Sequence, residues 1–226
     1  KSVFFNSAYF GPSPISAKKL MTEAMDRELD PSFYPYNDWM GISERIRVKL
    51  ADFMQVSPDT ITHSTSASDI INIVANGFHF QKGEHVAAID KDYPSNVLPW
   101  MLAEKDRGIV FDRLPLGDEV VPTAEWLEKK LHPNTKIFNM SWVTFDTGKR
   151  MDLVSIGKML KSKNIMFVVD ATQALGGMMI SSEELQYIDV LACSSYKWML
   201  GPYGHAFGYF NTYAQEKIHT IMLIGF

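Results

Sequence analysis

Apolar positions along the chain alternate between a helical repeat of about 3.6 residues and short continuous runs of strand length, and this alternation predicts the architecture. Ser13 and Pro14 open a predicted helix that runs through Lys18 to Leu29, and a second covers Ile42 to Met54, after the aromatic loop Phe33-Tyr34-Pro35-Tyr36. Further helices are predicted from Ser68 to Phe78, Ser95 to Asp106, Thr123 to Leu131 and Val154 to Lys161. Between them lie apolar runs read as strands: His85 to Ile89, Ile109 to Phe111, Lys136 to Ser141, Asn164 to Val169, Asp189 to Cys193 and Ala206 to Phe210. Strands this apolar are covered on both faces. The interleaving therefore predicts an α/β fold, a mostly parallel sheet with helices on both sides.

Composition narrows the picture without changing it. With 226 residues, 46% of them hydrophobic, the chain is long enough for a substantial core, and no repeat or low-complexity linker divides it. A net charge of -4 and the absence of a lysine/arginine cluster leave no electrostatic footprint for nucleic acid or an anionic membrane. The longest apolar runs are too short to span a bilayer, and Lys1 to Asn6 lack the apolar core of a secretory leader. One cysteine excludes an internal disulfide framework, and the six histidines fall at no metal-binding spacing. A reducing cytoplasm and no metal are the expectation.

Candidate chemistry gathers where strands end. In Ala192-Cys193-Ser194-Ser195-Tyr196-Lys197-Trp198-Met199-Leu200-Gly201-Pro202, an apolar run delivers a lysine into a Gly/Pro loop. A lysine amine held off the surface loses its charge readily and condenses with carbonyls. Upstream, Asp170 ends the strand Asn164 to Val169 and is followed by Ala171, Thr172 and Gln173, placing a carboxylate where a pyridinium nitrogen needs one. Taken singly, such a lysine is usually a solvated loop charge and such an aspartate a turn or cap residue. Their pairing points to pyridoxal phosphate.

Ligands of open parallel sheets collect beyond the carboxyl ends of the strands. Tyr93, Thr144, Phe145, Asp170, Gln173 and Lys197 all follow predicted strands and are expected to converge there. Ser64-Thr65-Ser66-Ala67-Ser68-Asp69 heads a predicted helix, where backbone N–H groups and the helix dipole favour an anion. The plainer reading of this segment is a capping box from Ser66 to Asp69.

These residues resemble the class V aminotransferase family of fold type I pyridoxal-phosphate enzymes, which includes cysteine desulfurases, kynureninases and small-amino-acid aminotransferases. The resemblance runs from Asn6-Ser7-Ala8-Tyr9-Phe10-Gly11-Pro12 to about Phe210 and is carried by Asp170-x-x-Gln173, Ser194-x-Tyr196-Lys197 and the loop Gly201-Pro202-x-Gly204. It implies that Lys197 holds the cofactor as a Schiff base and moves the substrate's α-proton. Asp170 would keep the ring nitrogen protonated, and Gln173 would bind the ring's 3-oxygen. Ala67 and Ser68, with Ser194 and Tyr196, would cradle the phosphate. Tyr93 would stack on the ring, with Thr144 and Phe145 beside it. The implied partners are an amino acid and a 2-oxo acid, in a homodimer to which Phe33 to Asn37 contribute.

Two departures bear on the reaction. Desulfurases of the family place histidine at the position of Tyr93 and asparagine at that of Phe145, and tyrosine does not relay protons near neutral pH as histidine does. Cys193, inside an apolar strand, reads as a core residue. Transamination is therefore the leading expectation, with cysteine desulfurase or selenocysteine lyase, epimerase and kynureninase-type lyase as alternatives, and a non-catalytic scaffold as the alternative of another class. The expected organisation is an N-terminal segment and helix over 1–30 and a cofactor-binding large domain over 31–226. The family's usual small C-terminal domain, with its carboxylate-binding arginine, is expected to be missing; Arg113 and Arg150 read as surface residues.

Overall fold

A computed structural model describes residues 3–30, 32, 36–116 and 121–219, with the side chains of 36–40 left aside. Phe33, Tyr34 and Pro35, in the loop expected at a subunit interface, lie outside the described residues, and nothing is described of the Tyr36 and Asn37 side chains. Seven strands form one sheet: β1 (Ile61–Ser64), β2 (His85–Ile89), β3 (Val110–Leu114), β4 (Thr135–Ser141), β5 (Met166–Asp170), β6 (Val190–Ser194) and β7 (Ala206–Phe210). Their spatial order is β1-β7-β6-β5-β4-β2-β3. From β6 to β3 every pairing is parallel, whereas β7 runs antiparallel to both β6 and β1. The sheet is thus mostly parallel, with one reversed strand near an edge.

Both faces are covered, and alternate residues of each strand divide between them. Phe167 and Val169 of β5 join one core with Leu50 and Met54 of α2 (Tyr36–Met54), Leu127 of α5 (Ala124–Lys130), and Ile156 and Leu160 of α6 (Leu153–Ser162). Met166 and Val168 join the other, with Ile70, Ile71 and Val74 of α3 (Ala67–Gly77) and Trp100 of α4 (Leu98–Arg107). The remaining helices are α1 (Ile15–Glu28), α7 (Ser182–Leu185) and α8 (Thr212–Lys217). Local signals set several helix starts: Thr123, Asp152, Ser181 and Asn211 each accept a backbone N–H in the first turn.

The structure departs from the sequence reading where the apolar signal is weak. Pro14 is itself the N-cap of α1, and no side chain caps that helix; Ser13 does not. The stretch expected to be helical from Ser95 begins as a short 3-10 turn, Pro94–Asn96, before α4 starts at Leu98. Strand β3 continues through Asp112 and Arg113, because as an edge strand it is paired only with β2 and half open to water. Strand β1 and helices α7 and α8 are additions. Each is at most six residues long, too short for its period to show.

Candidate active site

Strand β5 ends on Asp170, and the backbone around it is fastened on both sides. The Trp142 N–H donates to the Asp170 carbonyl at 2.8 Å, and the Ala171 N–H donates to the Ala192 carbonyl at 2.8 Å. The side chain is 5% exposed and accepts the Thr172 N–H at 2.9 Å. Burial pushes its carboxyl above the usual carboxylate range, and the hydrogen bonds from Thr172 offset that only in part. The Asp92 charge adds to the rise and that of Lys197 works against it, so the carboxylate is held at a cost that a cation in contact with it would relieve.

Lys197 follows β6 in a loop that closes on itself: the Leu200 N–H donates to the Lys197 carbonyl at 3.1 Å, and the Gly201 N–H to the Ser195 carbonyl at 2.8 Å. Leu200 takes the left-handed conformation, with φ of 56°. A leucine rarely stays there unless its surroundings enforce it. The lysine itself is 6% exposed, and its amine sits 5.3 Å from the Tyr93 ring centre and 5.7 Å from that of Tyr196. Among the described residues the amine makes no hydrogen bond. Burial lowers its pKa, opposed by the charge of Asp170. An amine of this kind is available as a nucleophile nearer neutral pH than a surface lysine.

The head of α3 lies on the same cavity. Ser66 caps it, its hydroxyl accepting the Asp69 N–H at 3.1 Å, as the capping-box reading requires of that half. The Asp69 carboxylate turns away and accepts the hydroxyls of Ser64 and Thr65. Burial works against its ionisation, but these bonds together hold it below the ordinary range. Next along, the Ala67 N–H donates to Ser194 Oγ at 2.9 Å, and the Ser68 and Ser95 hydroxyls meet at 2.6 Å. The helix terminus is therefore lined by hydroxyls on rotatable bonds, able to turn toward an anion.

An inner cavity of about 110 Å³ brings together Ala67, Ser68, Tyr93, Phe145, Asp170, Gln173, Ser194, Tyr196 and Lys197. Nine of the ten residues singled out from the sequence thus share one wall. Thr144 lies instead on the adjacent cleft with Asp90 and Asp146, where its hydroxyl meets that of Thr147 and accepts the Lys149 N–H. Ser95, Ser141 and Thr172 also line the inner cavity and were not singled out. Ser95, two residues after Tyr93, and Thr172, inside the Asp170-to-Gln173 motif, were within reach of the sequence reading. Ser141 was hidden, because it ends an apolar strand.

Two residues show how the N-terminal segment completes the site. Gln173 is held by both ends of its amide, Nε2 donating to the Ala8 carbonyl at 3.1 Å and Oε1 accepting from Trp198 Nε1 at 3.3 Å. The Gly11 N–H donates to the Tyr196 carbonyl at 2.7 Å. A Cβ on Gly11 would fall 2.0 Å from the Lys197 carbonyl oxygen, so only glycine fits under the lysine loop. Tyr93, whose backbone N–H is accepted by Asp92, packs edge-on against Phe145 at 5.5 Å. Trp100, seven residues on, is in the core with its indole N–H on Asn139. Burial, with Tyr93 and Tyr203 close by, pushes the Tyr196 phenol up to about 12, so it stays protonated.

Among the described residues no helix is long and apolar enough to cross a membrane, and no group of three or more histidine, cysteine, aspartate or glutamate side chains is placed to hold a metal.

Comparison with known proteins bears on the family and the fold. The aminotransferase class-V family model matches residues 36–226. A probable cysteine desulfurase of Methanothermobacter thermautotrophicus is 27% identical over 227 residues, which is 99% of this chain and 56% of that protein. A probable cysteine desulfurase of Pyrococcus abyssi is 31% identical over 170 residues, 74% of this chain and 42% of that one. The chain thus spans about half the length of the curated relatives it matches. Among solved structures, a C-DES mutant with glycine covalently linked to its PLP cofactor superposes with a TM-score of 0.88 at 21% identity, over 96% of this chain and 58% of that one; this likeness shows the fold. With its mostly parallel sheet and the match over residues 36–226, the chain belongs to the aminotransferase class-V family.

Proposed function

We propose that the chain binds pyridoxal phosphate through Lys197 and acts at the α-carbon of an amino acid, with transamination as the reaction. One observation carries the reading: a buried lysine amine without a hydrogen bond shares a cavity with a buried carboxylate and a hydroxyl-lined helix terminus. The residues present fit the cofactor. Asp170, whose carboxyl is driven up by burial with the Lys197 charge relieving it only in part, would pair with a protonated ring nitrogen. Ser68, Ser95 and Ser194, at the positive end of α3, would take the phosphate. Gln173 would reach the ring's 3-oxygen, and Tyr93 and Phe145 would flank the ring. When bound, the cofactor supplies an electron sink for a carbanion at the α-carbon.

The protein's own contribution follows from the same geometry. Lys197 Nζ, its pKa lowered by burial, would take the α-proton and return it elsewhere, beside the rings of Tyr93 and Tyr196. Cysteine desulfuration is the second reading, favoured by the names of the relatives. Cys193 does not serve it: the thiol is buried in β6 and its pKa is pushed up by burial. A homodimer in a cytoplasmic setting belongs to the same proposal, and sedimentation of the loaded chain tests the first part.

The test is to add pyridoxal phosphate, reduce with borohydride and map the adduct by mass spectrometry. A pyridoxyl group on Lys197 is the expected result. A folded protein with no adduct there overturns the reading. Appearance of a 2-oxo acid, as against sulfide and alanine, then separates the two reactions.

A further inference from the structure

We infer that Thr172 is a positioning residue whose backbone N–H and hydroxyl tie Asp170, proposed for the ring nitrogen, to Ser194, proposed for the phosphate, an inference that rests on the cofactor reading above. The register of the sheet shows what the residue does there. Strands β5 and β6 run parallel with Asp170 opposite Ala192, and just beyond that pair the Ala171 N–H donates to the Ala192 carbonyl. A ladder carried one step further would offer the Ser194 N–H a main-chain carbonyl from the β5 segment. The chain turns instead, and that N–H donates to Thr172 Oγ1 at 3.1 Å. Thr172 and Ser194 are both buried, so the N–H depends on this hydroxyl for its partner.

Three bonds then run in series along the wall of the inner cavity. The Thr172 N–H donates to Asp170 Oδ1 at 2.9 Å, Thr172 Oγ1 accepts from Ser194, and Ser194 Oγ accepts the Ala67 N–H at the head of α3 at 2.9 Å. Because Oγ1 accepts from Ser194, its own hydrogen is left for the Asp170 carboxylate, and the hydroxyl and N–H of Thr172 both hold that carboxyl down against burial. Branching at Cβ restricts the rotamers of Thr172 and keeps the hydroxyl in this place. Asp92, from the loop after β2, and Lys197, from the loop after β6, are the charges that bear on Asp170; the Cys193 thiol and the Tyr196 phenol beside it are pushed up and stay neutral. A threonine that merely replaced a ladder carbonyl would have no bearing on Asp170. This one acts on it through both of its donors.

The test reads the ring nitrogen directly, using pyridoxal phosphate labelled with nitrogen-15 in its ring and bound to the chain and its variants. The nuclear magnetic resonance shift of that nitrogen separates its protonated from its unprotonated form and needs no turnover. Thr172→Val keeps the shape of the side chain and removes the hydroxyl, so Asp170 holds its charge less readily and the ring nitrogen its proton. The nitrogen is expected to lose its proton about one pH unit lower than in the unaltered chain, the shift that one hydrogen bond to a charged group produces. Affinity for pyridoxal phosphate, read by absorbance titration, is expected to fall about 10-fold in the same variant. Thr172→Ser, which keeps the hydroxyl, is expected to restore both. Thr172→Ala removes the same hydroxyl but admits a water, and gives a smaller shift in the same direction should the valine variant not fold. An unmoved nitrogen in a folded valine or alanine variant, whether or not affinity falls, or an equal shift in the serine variant, would overturn the inference and leave the cofactor reading standing. Failure of the folded, unaltered chain to bind the labelled compound would overturn the cofactor reading itself, and this inference with it.

Discussion

Two polar clusters lie side by side at the carboxyl ends of β2, β4, β5 and β6, and they are built on opposite terms. In the first, Asp92 accepts the N–H and hydroxyl of Ser141 at 2.8 and 2.7 Å, and Asn96 donates to the same hydroxyl at 2.9 Å. Asn139 donates to Asn96 at 3.2 Å and accepts the indole N–H of Trp100 at 2.8 Å. Donors and acceptors are matched in a chain from the Tyr93 loop into the core. In the second, the Lys197 amine has no hydrogen bond among the described residues, and burial shifts both Asp170 and Lys197 away from their charged forms. A structural polar network is closed; a site keeps its groups open for a ligand, and the fold bears the cost.

The comparison is broken most completely at Lys197. Lys197→Ala is expected to abolish the borohydride-trapped adduct while leaving the fold intact, checked by mass spectrometry and circular dichroism together. Asp170→Asn comes next, with two opposed effects. Cofactor affinity is expected to fall roughly 10- to 100-fold, the worth of a hydrogen bond to a charged group, read by absorbance titration. The cofactor-free chain, in contrast, is expected to become more stable at neutral pH. Because the folded pKa of Asp170 is raised, the native state holds the extra proton above pH 3.8 and stability falls as pH rises through that window; asparagine removes the fall. Denaturation profiles of the two proteins from low to neutral pH should diverge accordingly, and parallel profiles would remove the open cluster from the comparison.

Smaller effects belong to the closed cluster. Trp100→Phe leaves the buried Asn139 oxygen without its donor and is expected to cost about 1–3 kcal/mol in chemical denaturation, with adduct formation at Lys197 preserved. Trp142 is equally buried, yet its indole N–H has no acceptor among the described residues. Trp142→Phe is therefore expected to cost less, under about 1 kcal/mol, since no bond is lost and the ring remains against Arg150. Reversal of that order would mean that the closed network contributes little.

The same contrast explains what could be read from the sequence. Strands β2, β4, β5, β6 and β7 were legible because both of their faces are buried, and β1 was not, because Ile-Thr-His-Ser carries one buried residue in four. Lys197, Asp170 and Gln173 stood out because a charged or amide group beside an apolar strand is unusual. Ser141 did not, since a serine ending a strand is common and its meaning lies in Asp92 and Asn96, distant in sequence. The embrace of Gln173 by Ala8 and Trp198 was likewise invisible, as it depends on where the N-terminal segment crosses the sheet.

That crossing has a consequence for the order of assembly. The contacts of Ala8 with Gln173 and of Gly11 with Tyr196 close loops that span most of the chain, and such closures come late because their entropy is lost before any contact repays it. The parallel strands can pair while the N-terminal segment is still free. The segment around Ala8 and Gly11, although it precedes every strand in sequence, is thus among the last to take its place, and the lysine loop acquires its final backing only when the rest of the sheet is finished.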